Sequence, residues 1–90
     1  MLPSSFILYP SSPNPFNPST TLRFELPAAS FVKLTVYDTG GRLVATLMEG
    51  WTQAGTHSAT FNGSNLPSGV YLYRLVAGQN TAAGKMVLLK

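Results

Sequence analysis

The groups that could perform acid–base chemistry are few and lie far apart along the chain. There is one histidine, His57, and the three acidic residues fall in separate segments: Glu25, Asp38 and Glu49. General acid–base catalysis needs an acid and a base within hydrogen-bonding reach of one substrate. His57 lies in a predicted strand, where a packed histidine is more common than a catalytic one. We therefore predict no catalytic residue and no enzymatic activity.

Ligands for a metal ion are equally sparse. Asp38 and the turn at residues 62–65 could supply some oxygen atoms, but a calcium site needs a denser group of carboxylates. The chain has no cysteine, which excludes disulfides, zinc–thiolate sites and thiol catalysis. We expect neither a metal nor a cofactor.

Aromatic residues could instead form a flat surface on which a sugar ring stacks. Trp51 and Tyr73 are the leading candidates, with Tyr9 and Tyr37 as further members. Trp51 follows Glu49-Gly50 in a predicted loop, although aromatic residues are more often part of a core or an interface. A carbohydrate-binding module, or a spacer domain attached to a secreted enzyme, therefore stays open as an alternative.

The formal charge of +3 reflects few acids rather than many bases, and the six basic residues are scattered through the 90 residues. A nucleic-acid-binding surface would group them beside stacking aromatics, so we expect no nucleic-acid partner. No apolar run approaches the ~20 residues that span a bilayer, and residues 1–4 do not begin a signal peptide. We expect one domain, residues 1–90, with residues 1–5 as a linker and any export signal in a longer parent protein.

The elements that must position these residues are short strands. Thr21 to Leu26 alternates polar and apolar residues, which places Leu22, Phe24 and Leu26 on a core face. The same alternation recurs at 32–36, 43–48, 57–61, 70–77 and 85–89, and residues 6–9 add a short first strand. Glycine and asparagine clusters between them suit tight turns. The pattern predicts an all-β, immunoglobulin-like Greek-key sandwich of about seven antiparallel strands with negligible helix.

Two further segments have a predicted structural role. Gly69 and Tyr71 lie in the segment Leu66-Pro67-Ser68-Gly69-Val70-Tyr71, which predicts a tyrosine corner whose hydroxyl bonds to upstream backbone. The segment Asn14-Pro15-Phe16-Asn17-Pro18 has φ fixed twice by proline and predicts a rigid, non-helical lead-in. Phe16 is expected to cover one end of the sandwich, while Asn14 and Asn17 cap backbone groups.

The sequence ends in an apolar strand bracketed by lysines: Lys85, Met86, Val87, Leu88, Leu89 and Lys90. Met86 and Leu88 should point to one face, and Val87 and Leu89 to the other. An edge strand offers unpaired N–H and C=O groups to a partner strand, which makes this segment a suitable place for a recognition signal, read either as a folded edge or as a frayed end. The same edge could pair with a second copy of the chain in a weak homodimer.

Several blocks together resemble the type A C-terminal sorting domain of type IX secretion cargo. They are residues 13–21, Val36-Tyr37-Asp38, Gly41-Arg42, residues 54–57, residues 66–71 and residues 85–90, so the resemblance runs from about Phe6 to Lys90. It implies that a cargo domain precedes this one, crosses the inner membrane by its own signal and folds in the periplasm. A type IX outer-membrane translocon would then recognise residues 85–90 and carry the cargo out. A surface sortase-like protease would remove the domain, which would thus be a substrate and not an enzyme.

Overall fold

A computed structural model describes residues 4–90 of the chain and contains seven strands. They are β1 (Ile7–Leu8), β2 (Ser19–Leu26), β3 (Ser30–Asp38), β4 (Leu43–Thr52), β5 (Gly55–Asn62), β6 (Gly69–Ala77) and β7 (Asn80–Leu88). Residues 4–90 form no helix, and hence none that could cross a membrane. Of the linker predicted at residues 1–5, residues 1–3 lie outside the described part of the chain.

The strands form two antiparallel sheets. The smaller sheet has the order β1-β2-β5, and the larger has the order β4-β3-β6-β7. The chain passes between the sheets after β2, after β4 and again after β5, and short loops make each connection. The predicted all-β sandwich is confirmed, and its connectivity is consistent with an immunoglobulin-like fold.

The core lies between the sheets and is built from alternate residues of the strands. Leu22, Phe24 and Leu26 of β2 are fully buried, as the sequence pattern predicted. The other buried apolar side chains come mainly from the larger sheet: Val32, Leu34, Val36, Tyr71, Tyr73, Leu75, Ala77, Met86 and Leu88, together with Phe16 and Phe61. A shift of one residue in any of these strands would move its buried set into solvent, so burial fixes the register.

The turn between β3 and β4 is organised by one carboxylate. Asp38 Oδ1 accepts hydrogen bonds from the backbone N–H of Gly40 (2.9 Å) and of Arg42 (3.0 Å). Its Oδ2 pairs with Arg42 Nε at 3.1 Å. The bond from the Arg42 backbone is the main reason that the pKa of Asp38 lies below its usual value, because each of these donors favours the charged form. Gly41 completes the turn with a φ of 84°, which suits glycine.

Candidate functional site

The segment predicted to be recognised lies on β7, the outer strand of the larger sheet. β7 begins at Asn80, five residues before the predicted strand, and pairs along its whole length with β6. Met86 and Leu88 are fully buried, whereas Lys85 and Leu89 are exposed, so the predicted division of faces is confirmed. Burial of Met86 and Leu88 stabilises the docked strand by about 1.5–3 kcal/mol each.

The free edge of the last strand is covered at residues 85–89 by residues 14–16, which we call the strap. The Asn14 amide acts as an extra peptide unit: its Oδ1 accepts from Val87 N–H (3.0 Å) and its Nδ2 donates to Lys85 C=O (3.3 Å). Phe16 N–H donates to Val87 C=O (2.9 Å), and Phe16 C=O accepts from Leu89 N–H (3.0 Å). Phe16 thus pairs with Leu88 as a short parallel bridge.

The strap corrects one prediction made from the sequence. From the C=O of Lys85 to the N–H of Leu89, the outward backbone groups of the last strand are bonded to Asn14 and Phe16. The expectation that this stretch offers unpaired groups is therefore wrong. A partner strand, including one from a second copy of the chain, can pair here only after the strap has left.

The strap is held in place by the Phe16 side chain. Phe16 is buried, and its ring meets Phe61 edge-on with 5.9 Å between ring centroids. Gly63 lies so close that a Cβ there would be 2.9 Å from Leu88 Cδ2 and 3.4 Å from the Phe16 ring. Thr20 adds a hydrogen bond from its hydroxyl to Pro13 C=O at 2.7 Å. The hydrophobic anchor and this polar tie fix where the strap crosses β7.

Asn17 differs from Asn14. Both residues are exposed, but the Asn17 side chain has no hydrogen bond to residues 4–90, so the capping role predicted for it is wrong. The neighbouring backbone is bonded instead, because Pro18 C=O accepts from Gly63 N–H at 2.8 Å. The motif therefore uses one asparagine as a side-chain cap and leaves the other in solvent.

The corner before β6 lies against the end of the chain. Tyr71 is buried and its hydroxyl donates to Pro67 C=O at 2.7 Å, which is the hydrogen bond expected of a tyrosine corner. The same loop binds Lys90, whose backbone N–H donates to Ser68 Oγ (3.1 Å) and whose Nζ donates to Ser64 C=O (2.7 Å). The strap, the corner loop and residues 85–90 thus meet at one end of the sandwich.

The two aromatic residues predicted as a sugar platform do not lie together. Trp51 belongs to β4 rather than to a loop, and it is 68% exposed on the outer face opposite Phe31. Tyr73 is 4% exposed on the inner face, where its hydroxyl accepts from Ser11 N–H at 3.2 Å. Gly84 lies against the Tyr73 ring, and a Cβ there would overlap the ring. A platform that combines Trp51 with Tyr73 is therefore wrong.

Within residues 4–90, His57 and the Tyr9–Glu25 pair take part in separate local contacts. His57 Nε2 forms a hydrogen bond with Gln53 C=O at 2.7 Å, and the centroids of the His57 and Phe24 rings are 5.5 Å apart. Residues 4–90 contain no group of three His, Cys, Asp or Glu side chains that could hold a metal ion.

Sequence reasoning missed one cluster, around Tyr9. The Tyr9 hydroxyl donates a hydrogen bond to Glu25, and the Arg23 guanidinium carbon lies 4.7 Å from the centroid of the Tyr9 ring. The hydrogen bond to Glu25 is the main cause of a raised pKa at Tyr9.

Comparison with known proteins places this arrangement in a family. A family model described as a secretion system C-terminal sorting domain matches residues 10–89, which include the strap, the corner and β7. The chain belongs to this family. The sorting domain is thus a type IX secretion signal, and it marks a protein for export towards the outer membrane or the cell surface. A signal of this kind is not itself a catalyst.

Two solved structures share the fold of the sorting domain. One is PorZ, described as an essential bacterial surface component of the type IX secretion system of Porphyromonas gingivalis, with a TM-score of 0.64 and 20% identity over 92% of this chain. The sorting domain spans 11% of that protein. The other is CopC from Methylosinus trichosporium OB3b, with a TM-score of 0.54 and 17% identity over 93% of this chain and 91% of CopC. A comparison with curated proteins found no match.

Proposed function

We propose that the sorting domain carries a larger cargo protein, attached on its N-terminal side, through the type IX outer-membrane translocon. The segment that the translocon recognises is residues 85–90. The domain consists of residues 6–90, and residues 1–5 link it to the cargo. After transit through the periplasm, a surface sortase-like protease separates the domain from the cargo, so the domain is the substrate of that step.

The observation that supports this proposal best is the convergence of distant segments on β7. The Asn14 side chain bonds to Lys85 and Val87, which lie 71 and 73 positions further along the chain. Lys90 bonds to Ser68 and Ser64, which lie 22 and 26 positions before it. Much of the family-like sequence is therefore used to present the last strand in one fixed conformation, as a recognition signal requires.

The test is an export assay. Residues 1–90 are fused behind a periplasm-targeted fluorescent protein in a cell with a working type IX system, and a translocon-deficient strain is the control. Fluorescence at the surface or in the medium, absent from the control strain, is the expected result. Fluorescence retained in the periplasm of both strains would overturn the proposal.

Two variants separate recognition from folding. Deletion of residues 85–90 should abolish export but should also destabilise the domain, because it removes Met86 and Leu88 from the core. Lys90→Ala removes only a side-chain hydrogen bond of an exposed residue, so it should leave folding intact. Reduced export of Lys90→Ala at an unchanged melting temperature would show that this residue is recognised. A stable, fully exported deletion variant would contradict the proposal.

Carbohydrate binding is a second candidate, supported by a different observation. Phe31 and Trp51 are direct cross-strand neighbours on the outer face and both are exposed, which gives an aromatic pair that a sugar ring could cover. Sedimentation of the purified domain with insoluble polysaccharides, compared with Trp51→Ala, tests it. Binding that Trp51→Ala abolishes would support this function, and the absence of binding would remove it.

A further inference from the structure

The outer faces of the two sheets differ in chemistry. On the smaller sheet the outward pairs between β2 and β5 are polar: Thr21 with Thr60, Arg23 with Ser58 and Glu25 with Thr56. On the larger sheet the outward face carries large exposed apolar residues: Phe31, Leu43, Trp51, Val70 and Leu72. Single exposed apolar residues are ordinary, whereas a contiguous apolar patch on one face is a candidate interaction surface.

Five of the outward residues are neighbours across four strands, and we call them the Leu72 patch. Tyr37 of β3 lies directly opposite both Leu43 of β4 and Leu72 of β6, and Val70 of β6 lies opposite Val87 of β7. Residues directly opposite in an antiparallel pair share a face, so the five side chains form one continuous surface. The Phe31–Trp51 pair is on the same face, about 20 Å away along β3 at 3.3 Å per residue.

The charges beside the Leu72 patch are positive. Lys85 lies opposite Leu72, and Arg74 follows two positions later on the same face of β6. Asp38, in the turn beside Leu43, is already bonded to Arg42. The outward carboxylate of Glu49 lies opposite Lys33, nearer to the Phe31–Trp51 pair. A complementary partner therefore presents apolar side chains with carboxylates around them.

The strap determines how such a partner can reach β7. The backbone edge at residues 85–89 is occupied by Asn14 and Phe16, whereas the side chains of Lys85, Val87 and Leu89 point away from the core. Val87 belongs to the Leu72 patch, so the patch is continuous with the segment assigned to recognition. A sheet face that combines apolar side chains with positive charges at its border suits a protein surface, because protein interfaces have an apolar centre and a polar rim.

We infer that the translocon docks on the folded outer face of β6 and β7, through the Leu72 patch and Lys85, and does not add a strand to the edge of β7. The docking partner is a protein surface of apolar residues ringed by carboxylates. This inference rests on the proposed sorting function and names the surface that performs it.

The experiment uses the export fusion with two matched pairs of substitutions on the same sheet face. Val70→Thr with Leu72→Ser changes the Leu72 patch, and Phe31→Ser with Trp51→Ser changes the other end. Lys85→Glu reverses the adjacent charge, with Lys85→Arg as its conservative control. Thermal unfolding of each purified domain shows whether the fold is intact, which is expected because all these side chains are partly or fully exposed.

Export of the patch variant and of Lys85→Glu should fall about tenfold or more, the scale of losses at central interface residues. The Phe31–Trp51 variant should be exported like the wild type, and Lys85→Arg, which keeps the positive charge, should recover most of the export that Lys85→Glu loses. Equal export of all variants would overturn the inference and leave the sorting function standing. An equal loss of export in the patch variant and in the Phe31–Trp51 variant would also overturn the inference. A wild-type fusion retained in both strains would overturn the sorting function and this inference with it.

Two other occupants of the patch give distinct results. Binding of the purified domain to phosphatidylglycerol vesicles that is lost in the patch variant would assign the surface to a membrane. A dimer in solution that the patch variant dissociates would assign it to a second copy of the chain. Either result would overturn docking on a protein partner of the translocon.

Discussion

Replacement of Asn14 by alanine tests whether the strap closes the edge of β7. The substitution removes the acceptor of Val87 N–H at 3.0 Å and the donor to Lys85 C=O at 3.3 Å. A hydrogen bond contributes about 0.5–1.5 kcal/mol net to the free energy of unfolding. Because both of these bonds are exposed, water can replace them, and each loss should lie at the low end of that range. We expect about 1 kcal/mol in total, which corresponds to a fall in melting temperature of about 4–8 °C for a domain of this size.

Asn17→Ala is the matched control, because Asn17 also precedes a proline in the same motif and is exposed like Asn14, but has no side-chain bond to residues 4–90. Its melting temperature should stay close to that of the wild type. Amide hydrogen exchange gives the local measurement: the Val87 amide should exchange faster in Asn14→Ala and be unchanged in Asn17→Ala. Equal effects of the two substitutions, or an unchanged Val87 amide in Asn14→Ala, would refute the strap.

Three further changes test the fold around the site. Tyr71→Phe removes the hydroxyl bonded to Pro67 C=O and should cost about 1 kcal/mol in thermal unfolding; an unchanged midpoint would contradict the corner. Gly84→Ala should cost about 1–3 kcal/mol because the new Cβ overlaps the Tyr73 ring, whereas Ala83→Ser on the exposed face should be neutral. Asp38 has a lowered pKa, so its stabilisation should be present above its unfolded pKa and be lost as the pH falls through the lower folded pKa. Melting temperatures from neutral to acid pH should show this loss in the wild type and less of it in Asp38→Asn, and identical profiles would contradict it.

The strand pattern could be predicted where one face of a strand is apolar and the other polar. β2 is such a strand, and its three inward residues were predicted correctly. β6 is not, because Val70, Leu72 and Val76 point outward while Tyr71, Tyr73 and Leu75 point inward. Alternation alone then cannot say which face is buried, which is why Tyr73 could be interpreted as a residue of an exposed aromatic platform.

Two other features were beyond a local reading of the sequence. The register of β3 with β4 shifts twice, which breaks the alternation before Trp51, and Glu49-Gly50 reads as a turn although β4 continues to Thr52. The strap depends on contacts between residues up to 73 positions apart. Prolines on both sides of Phe16 indicated an extended segment, but nothing near them in the sequence indicates the strand that they cover.

The place where the pattern fails on β6 is itself informative about function. The inward residues of β6 are set by packing in the core, whereas Val70 and Leu72 lie outside the core and are 39% and 41% exposed. The smaller sheet shows that polar residues serve such positions well, since threonine and serine occupy the outward face of β5. Exposed apolar residues add a risk of aggregation, and their cross-strand contacts stabilise the isolated domain by only about 0.2–1 kcal/mol each. They do become favourable when another protein covers them, and local rules of sequence tend to be broken at sites of that kind. The apolar outward face of β6 is therefore an argument for docking that is independent of the family to which the chain belongs.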